Sequence, residues 1–187
     1  MSLFEIWLGI LQGIRVTATV TAYGLLFAIP FGLIFGVAQY MTTGFARFAV
    51  TAVIEFWRSS AVIILLFVFY YALPVIGVTL PAMTVSAMVL GLNIGGYASQ
   101  AVRAGLIGLD RGQKEAGQAL GLSRMSILVL VELPQALRNM SPTFINHLIQ
   151  LVKATSLVSL VTLTDLTFRA KEIAQVEPDP APIYIAL

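Results

Sequence analysis

Apolar residues run almost unbroken through two stretches of the chain, residues 16–46 and 59–102, in which no Asp, Glu, Lys, Arg or His occurs. A helix crossing a bilayer needs about 20 mostly apolar residues, because backbone groups left unpaired in hydrocarbon are too costly. The first stretch predicts one span at about 16–40. The second predicts two, since Pro74, Gly77 and Pro81 punctuate it. One lies at about 61–73, with a start nearer residue 53, and the other at about 81–107. A fourth is expected at about 142–163, with Lys153 inside it. Ahead of the first span, Leu3, Ile6, Trp7, Ile10, Leu11 and Ile14 recur at helical spacing, with Ser2, Glu5, Gln12 and Gly13 opposite. This predicts a helix over residues 2–15 that either lies in the membrane interface or extends the first span. It is not a cleaved leader, having no basic n-region and carrying Glu5. At the other end Pro178, Pro180 and Pro182 interrupt the pattern, and residues 183–187 begin a new apolar run too short to cross. The expected fold is an all-α polytopic transmembrane bundle, one domain over residues 1–187. It would have four complete spans and a truncated fifth, cut from a longer natural protein.

Composition agrees with the pattern. Of 187 residues, 58% are hydrophobic and only 11% charged, against roughly 25% charged in soluble domains. Disorder is excluded by the same figures. A net charge of +2 without any basic run gives no footprint for nucleic acid. With no cysteine and a single histidine, His147, the chain has no thiol nucleophile and no set of soft ligands for a metal. The Lys and Arg distribution sets the orientation. Arg47, Arg58, Arg103, Arg111, Lys114, Arg124 and Arg138 fall on one side, and Arg15, Arg169 and Lys171 on the other. The loop at 108–139 is therefore expected in the cytoplasm, with the N-terminus outside.

That loop is the one long polar connection. A short helix is expected at 114–120, ended by Gly121 in a left-handed conformation. Ser123 would cap a second helix at 125–133, stopped by Pro134. Helix, glycine and helix together make a compact knob outside the membrane, or an ordinary interfacial loop.

The residues of the knob resemble a family signature. Glu115-Ala116-Gly117, three residues, Gly121, nine residues, then Val131-Glu132-Leu133-Pro134 is similar to the coupling loop of bacterial ATP-binding cassette (ABC) importer permeases. That signature reads EAA, three residues, G, nine residues, I-x-L-P. The chain departs from it with Gly117 for Ala and Val131 for Ile. Gln113, Pro134-Gln135-Ala136-Leu137-Arg138, Pro142, Gly96-Tyr97, Arg103 and the run from Lys153 to Ser159 resemble the polar amino acid uptake permeases. The likeness covers about residues 13–167. Arg58-Ser59-Ser60-Ala61 stands where many relatives have Arg-Gly-Thr-Pro, and Gln100 where many have Glu. Leu90 to Asn93 with Thr164 to Phe168 resembles permeases for ectoine-type solutes.

The resemblance implies the type I importer permease fold and a multi-pass place in the bacterial cytoplasmic (inner) membrane. It implies a permease subunit that moves a polar amino acid or similar zwitterion. Its partners would be two cytoplasmic ATPase subunits, a second permease subunit (identical or paralogous), an external solute-binding protein and membrane lipid, with no nucleic acid. No cofactor is expected on this chain, since ATP and magnesium belong to the partner ATPase. Gly108, Gly112 and Lys114 fall short of a phosphate-binding loop, and Glu115 after the lysine would repel phosphate. Glu115, Ala116, Gly117 and Gly121 are the expected coupling residues: Glu115 accepts a charge-assisted bond from a partner, Ala116 and Gly117 keep that face small, and Gly121 makes the turn. The alternative is a solvated Glu115 and a glycine that only stops a helix.

Polar residues within the spans form two stripes. Asn93, Tyr97 and Gln100 share one face of the third span, and Asn146, Gln150 and Lys153 one face of the fourth, with Thr155, Ser156 and Ser159 nearby. Such residues line a solute path or bond between helices. The expected path set is Asn93, Tyr97, Gln100, Lys153, Thr155 and Ser156. Gly32 with Gly36, and Gly91 with Gly95, have the G-x-x-x-G spacing of close helix packing. A passive channel, a secondary transporter or a membrane scaffold remain the rival functions. Glu132 and Asp165 sit only at loop edges, and the absence of carboxylates within the spans argues against ion coupling.

Overall fold

A computed structural model describes residues 3–161, Leu163, Thr167, Phe168 and Lys171, with side chains from Gly13 onward. Every regular element among them is helical. Helix α1 (Leu3–Met41) runs without a break through Arg15 and Pro30, so the amphipathic start and the first span form one rod. The apolar face expected from Leu3 to Leu11 lies outside the described side chains. So do the proline-rich segment at 178–182 and the apolar run after it.

The second span differs from its expected form. Helix α2 (Gly44–Ser59) ends at Ser59, and α3 (Val62–Phe67) begins after Ala61. A start nearer residue 53 therefore does not extend the same helix. The break is held by side chains. Ser59 Oγ donates to Glu55 Oε2 at 2.9 Å, and Tyr97 Oη donates to the freed carbonyl of Arg58 at 3.2 Å.

After α3 comes a π-turn over Val68–Ala72 and a 3₁₀ turn over Leu73–Ile76, which ends at Gly77 with φ of 87°. Helix α4 (Ala82–Ile107) has 26 residues. The polar loop region contains α5 (Arg111–Ala119), α6 (Arg124–Ile127), a π-turn over Leu128–Glu132 and α7 (Leu133–Asn139). Helix α8 (Ser141–Ala154) passes into a 3₁₀ segment over Thr155–Val161. Pro134 was expected to stop a helix, yet the chain stays helical through it. The reason recurs at Pro74. Proline lacks an N–H and its ring clashes with the carbonyl four residues back. In both places a π-turn ends two residues before the proline, and its wider ring accommodates the misfit.

Among the described residues, Gly13–Met41 and Ser141–Val161 are long and apolar enough to cross a membrane. The broken pair Gly44–Ser59 and Val62–Ile76 qualifies if counted as one span. Helix α4 has spanning length, but Ser86, Asn93, Ser99 and Gln100 make it less apolar. Ser86, Asn93 and Ser99 are buried in protein, where lipid does not penalise them.

The chain forms two compact units. The first takes Met1–Phe27, Ser60–Asn93 and Ile149–Leu187, and the second Ala28–Ser59 and Ile94–Leu148. In the first, Val20, Leu66, Val85, Val89, Leu90, Leu151 and Val158 are buried. A Cβ on Gly91 would fall on the Gly24 carbonyl, and one on Gly24 would sit 3.3 Å from Leu151 Cδ1. Helices α1, α4 and α8 meet there at near-backbone distance. In the second unit the contacts advance together along α1 and α4. A Cβ on Gly95 would lie 3.1 Å from Ala28 O, one on Gly32 2.9 Å from Ala98 Cβ, and one on Gly36 2.7 Å from Ser99 O. The two helices therefore run parallel there, with Gly95 of α4 against Ala28 and Phe31, and Gly32 and Gly36 of α1 against Ala98 and Ser99. Val102, Leu106, Leu128 and Ala136 form the core beyond that seam, joining α4 to the polar loop region.

Candidate coupling site and the polar residues of the spans

Asp110 starts α5 as an N-cap: its Oδ1 accepts from Gly112 N at 2.6 Å, so the helix begins three residues earlier than the sequence suggested. Its end is a Schellman motif. Leu122 N donates to Gly117 O at 3.1 Å, and Gly121 N to Gln118 O at 2.9 Å. Gly121 has φ of 74°, a conformation that costs other residues roughly 1–2 kcal/mol. Ser123 caps α6 as expected, accepting from Ser126 N at 3.1 Å. Gln135 Nε2 donates to Gln113 Oε1 at 3.0 Å, tying α7 to α5.

Glu115 and Ala116 are exposed on α5, but Gly117 is buried. It does not keep an outward face small, as expected. A Cβ on it would lie 2.8 Å from Ile127 Cγ1, so the glycine lets α5 close on α6. Ile127 thus takes up part of the space that the signature's usual alanine would use.

Glu132, expected at a loop edge, is instead 4% exposed. Arg124 Nη1 donates to its Oε2 at 2.7 Å and Tyr40 Oη to its Oε1 at 3.3 Å, while the guanidinium carbon stands 5.3 Å from the Tyr40 ring centroid. Burial pulls the Arg124 guanidinium down, but its hydrogen bonds with Glu132 and Tyr40 outweigh this and hold it above its ordinary value. The signals available were an acidic residue in an apolar run and an arginine eight residues earlier. A cleft of about 480 Å³ is lined by Tyr40 and Glu132 together with Lys114, Glu115 and Gln118.

The expected path residues separate. Asn93 is 7% exposed. Gln100 Nε2 donates to Gln39 Oε1 at 3.0 Å, and Gln39 Nε2 to Thr51 Oγ1 at 2.8 Å, a ladder from α4 through α1 to α2. For Gln100 this is the inter-helix role rather than an open one. Tyr97 is partly exposed, with its ring 6.2 Å from that of His147. Beside it Arg58 pairs with Glu55 at 2.9 Å. On α8, Asn146, Gln150 and Lys153 are exposed, as is Ser156 just beyond it. Thr155 is buried, donating to Val152 O at 2.7 Å, and does not join them. The ectoine-like segment at 164–168 falls largely outside the described residues.

Apolar helices thus flank a capped loop that turns at Gly121, and the comparisons name the class of protein. Residues 28–187 match the family of binding-protein-dependent transport system inner membrane components, and the chain belongs to that family. It is the membrane-embedded permease subunit of an ABC importer. It is 34% identical over 179 residues to a probable amino-acid ABC transporter permease, y4tF, of Sinorhizobium fredii, covering 92% of this chain and 75% of that one. It is 32% identical over 161 residues to the L-cystine transport system permease TcyB of Bacillus subtilis, covering 86% and 69%. A crystal structure of an amino acid ABC transporter with histidines superposes with a TM-score of 0.79 at 26% identity, over 97% of this chain and 84% of that one. The inward-facing MetNI methionine transporter shares the fold, with a TM-score of 0.74 at 21% identity over 100% and 89%.

Proposed function

We propose that this permease carries a polar amino acid or a similar zwitterion into the cell, driven by a separate ATPase that docks on α5 and the turn at Gly121. The observation that carries the reading is the exposed pair Glu115 and Ala116 on a helix fixed at both ends, by Asp110 and by the Gly121 turn. The named functions of the relatives supply the solute class. The working assembly holds two permeases, two ATPases and an external binding protein. ATP and magnesium bind the ATPases, and this chain performs no chemistry of its own. The loop faces the cytoplasm.

Co-purification tests the coupling role. Wild-type permease solubilised from native membranes in mild detergent retains an ATPase identifiable by mass spectrometry. A Glu115→Arg variant of equal yield and melting temperature retains several-fold less, because a charge-assisted contact contributes about 1.5–3 kcal/mol. A wild type that retains none refutes the assignment.

The exposed polar face of α8 lines the solute path in this reading. Gln150, Lys153 and Ser156 cannot face lipid without penalty, so they face water or the second permease. Lys153 has no ion-pair partner among the described residues and is placed to bind a solute carboxylate. Lys153→Met is expected to raise the apparent KM for uptake by about tenfold, corresponding to about 1.4 kcal/mol. Unchanged uptake kinetics in a well-expressed variant removes lysine from the path.

A further inference from the structure

We infer that Arg124, Glu132 and Tyr40 form a polar strut through which movement of the coupling loop reaches the first membrane helix. The inference rests on the permease reading and adds positioning residues to it. The three groups touch pairwise, at 2.7 Å and 3.3 Å for the hydrogen bonds and 5.3 Å for the cation over the ring. They also come from three separate segments. Tyr40 is next to the last residue of α1, Arg124 opens α6 just beyond the Gly121 turn, and Glu132 closes the π-turn.

Two physical arguments make this a linkage and not only a stabilising contact. A buried ion pair is a poor source of stability, since apolar residues of similar size serve as well. What it supplies is fixed geometry: apolar surfaces can slide and exchange neighbours, whereas parting Arg124 from Glu132 strands a buried carboxylate. The second argument is the π-turn. Each residue in an α-helix advances the next by about 100°, so one extra residue in the turn reorients Glu132 by that amount. Turns of this kind recur at functional sites. Lys114, Glu115 and Gln118 of α5 line the same cleft as Tyr40 and Glu132, so the strut stands at the edge of the space beside α5.

The absence of cysteine makes the test clean. Spin labels on Met41→Cys and Ala119→Cys report the distance from the end of α1 to α5 in the whole complex with its ATPase in lipid. It is measured nucleotide-free and trapped with magnesium, ATP and vanadate. In the otherwise wild-type background the width of the distance distribution stays the same in both states. With Glu132→Gln or Arg124→Gln the nucleotide-free distribution is retained and the trapped one broadens about twofold, because the pair no longer fixes the geometry. ATP hydrolysis continues. Tyr40→Phe removes one hydroxyl and no packing, so it remains available if Glu132→Gln fails to accumulate, and it broadens the trapped state less. Trapped distributions as narrow as wild type in these variants overturn the strut, and equal broadening in both states reduces it to a structural contact. A wild type that binds no ATPase overturns the importer reading itself, an outcome distinct from the other two.

Discussion

A Gly91→Leu chain will fail to accumulate as folded protein. In the first unit a Cβ at this position falls on the Gly24 carbonyl and comes within 2.8 Å of Phe27 Cβ. Both obstacles belong to or adjoin the α1 backbone, so no rotamer change clears them. Leucine must force α1 and α4 apart along a seam that also holds Leu151 against Gly24. Overpacking of this kind costs typically 1–3 kcal/mol and sometimes more, and this case belongs at the upper end because backbone has to move. Size-exclusion of detergent extracts with a fluorescent tag will show aggregate or nothing for Gly91→Leu. Gly95→Ala, whose Cβ would meet Ala28 O at 3.1 Å, will show a monodisperse peak with a modestly lower melting temperature. A normal peak for Gly91→Leu would mean that the seam is looser than described.

The second large effect is expected in the loop. Gly117→Leu will leave the spans folded but strip the complex of its ATPase. The first atoms in the way are Ile127 Cγ1 at 2.8 Å and Cδ1 at 3.1 Å, the far end of a flexible side chain. Alanine there asks only that Ile127 shift, so Gly117→Ala, which restores the signature's usual residue, will behave nearly as wild type. Leucine has no room and pushes α5 away from α6, moving Glu115 from its docking position. ATPase recovered per permease should fall about tenfold or more, corresponding to at least about 1.4 kcal/mol of lost binding. The double variant Gly117→Leu/Ile127→Ala returns the missing volume and should regain most of the capture. If it recovers nothing, the contact with Ile127 is not what positions α5.

These contrasts mark what a single sequence can and cannot reveal. Charge-free stretches exposed the spans because lipid imposes its requirement on composition, residue by residue. Gly121 and Ser123 were legible because turn and cap chemistry is local. The break after Ser59 was not: no proline or glycine stands there, and it is held by Glu55 on the same helix and Tyr97 on another. Pro134 was visible, but the π-turn that accommodates it was not, so a continuing helix was read as an ending. Gly117 was assigned to the outer face because its neighbour in space, Ile127, is ten residues away in sequence. Glu132 passed as a loop residue for the same reason, since Tyr40 lies 92 positions earlier. Of the expected coupling residues, Glu115 and Ala116 are exposed on α5 and Gly121 makes the turn that ends it. Of the expected path residues, Gln100 and Thr155 are engaged within the protein.

The 3₁₀ segment at Thr155–Val161 has a mechanical meaning. A 3₁₀ helix rises about 2.0 Å per residue and turns about 120°, against about 1.5 Å and 100° in an α-helix. Seven residues wound the tighter way are thus longer by about 3.5 Å and further rotated by about 140° than the same seven in α form. The hydroxyls of Thr155, Ser156 and Ser159 each bond a carbonyl three residues back, a reach that both windings allow. Rewinding these residues as α-helix would therefore shorten and unwind the end of the helical segment in one step, by those two amounts.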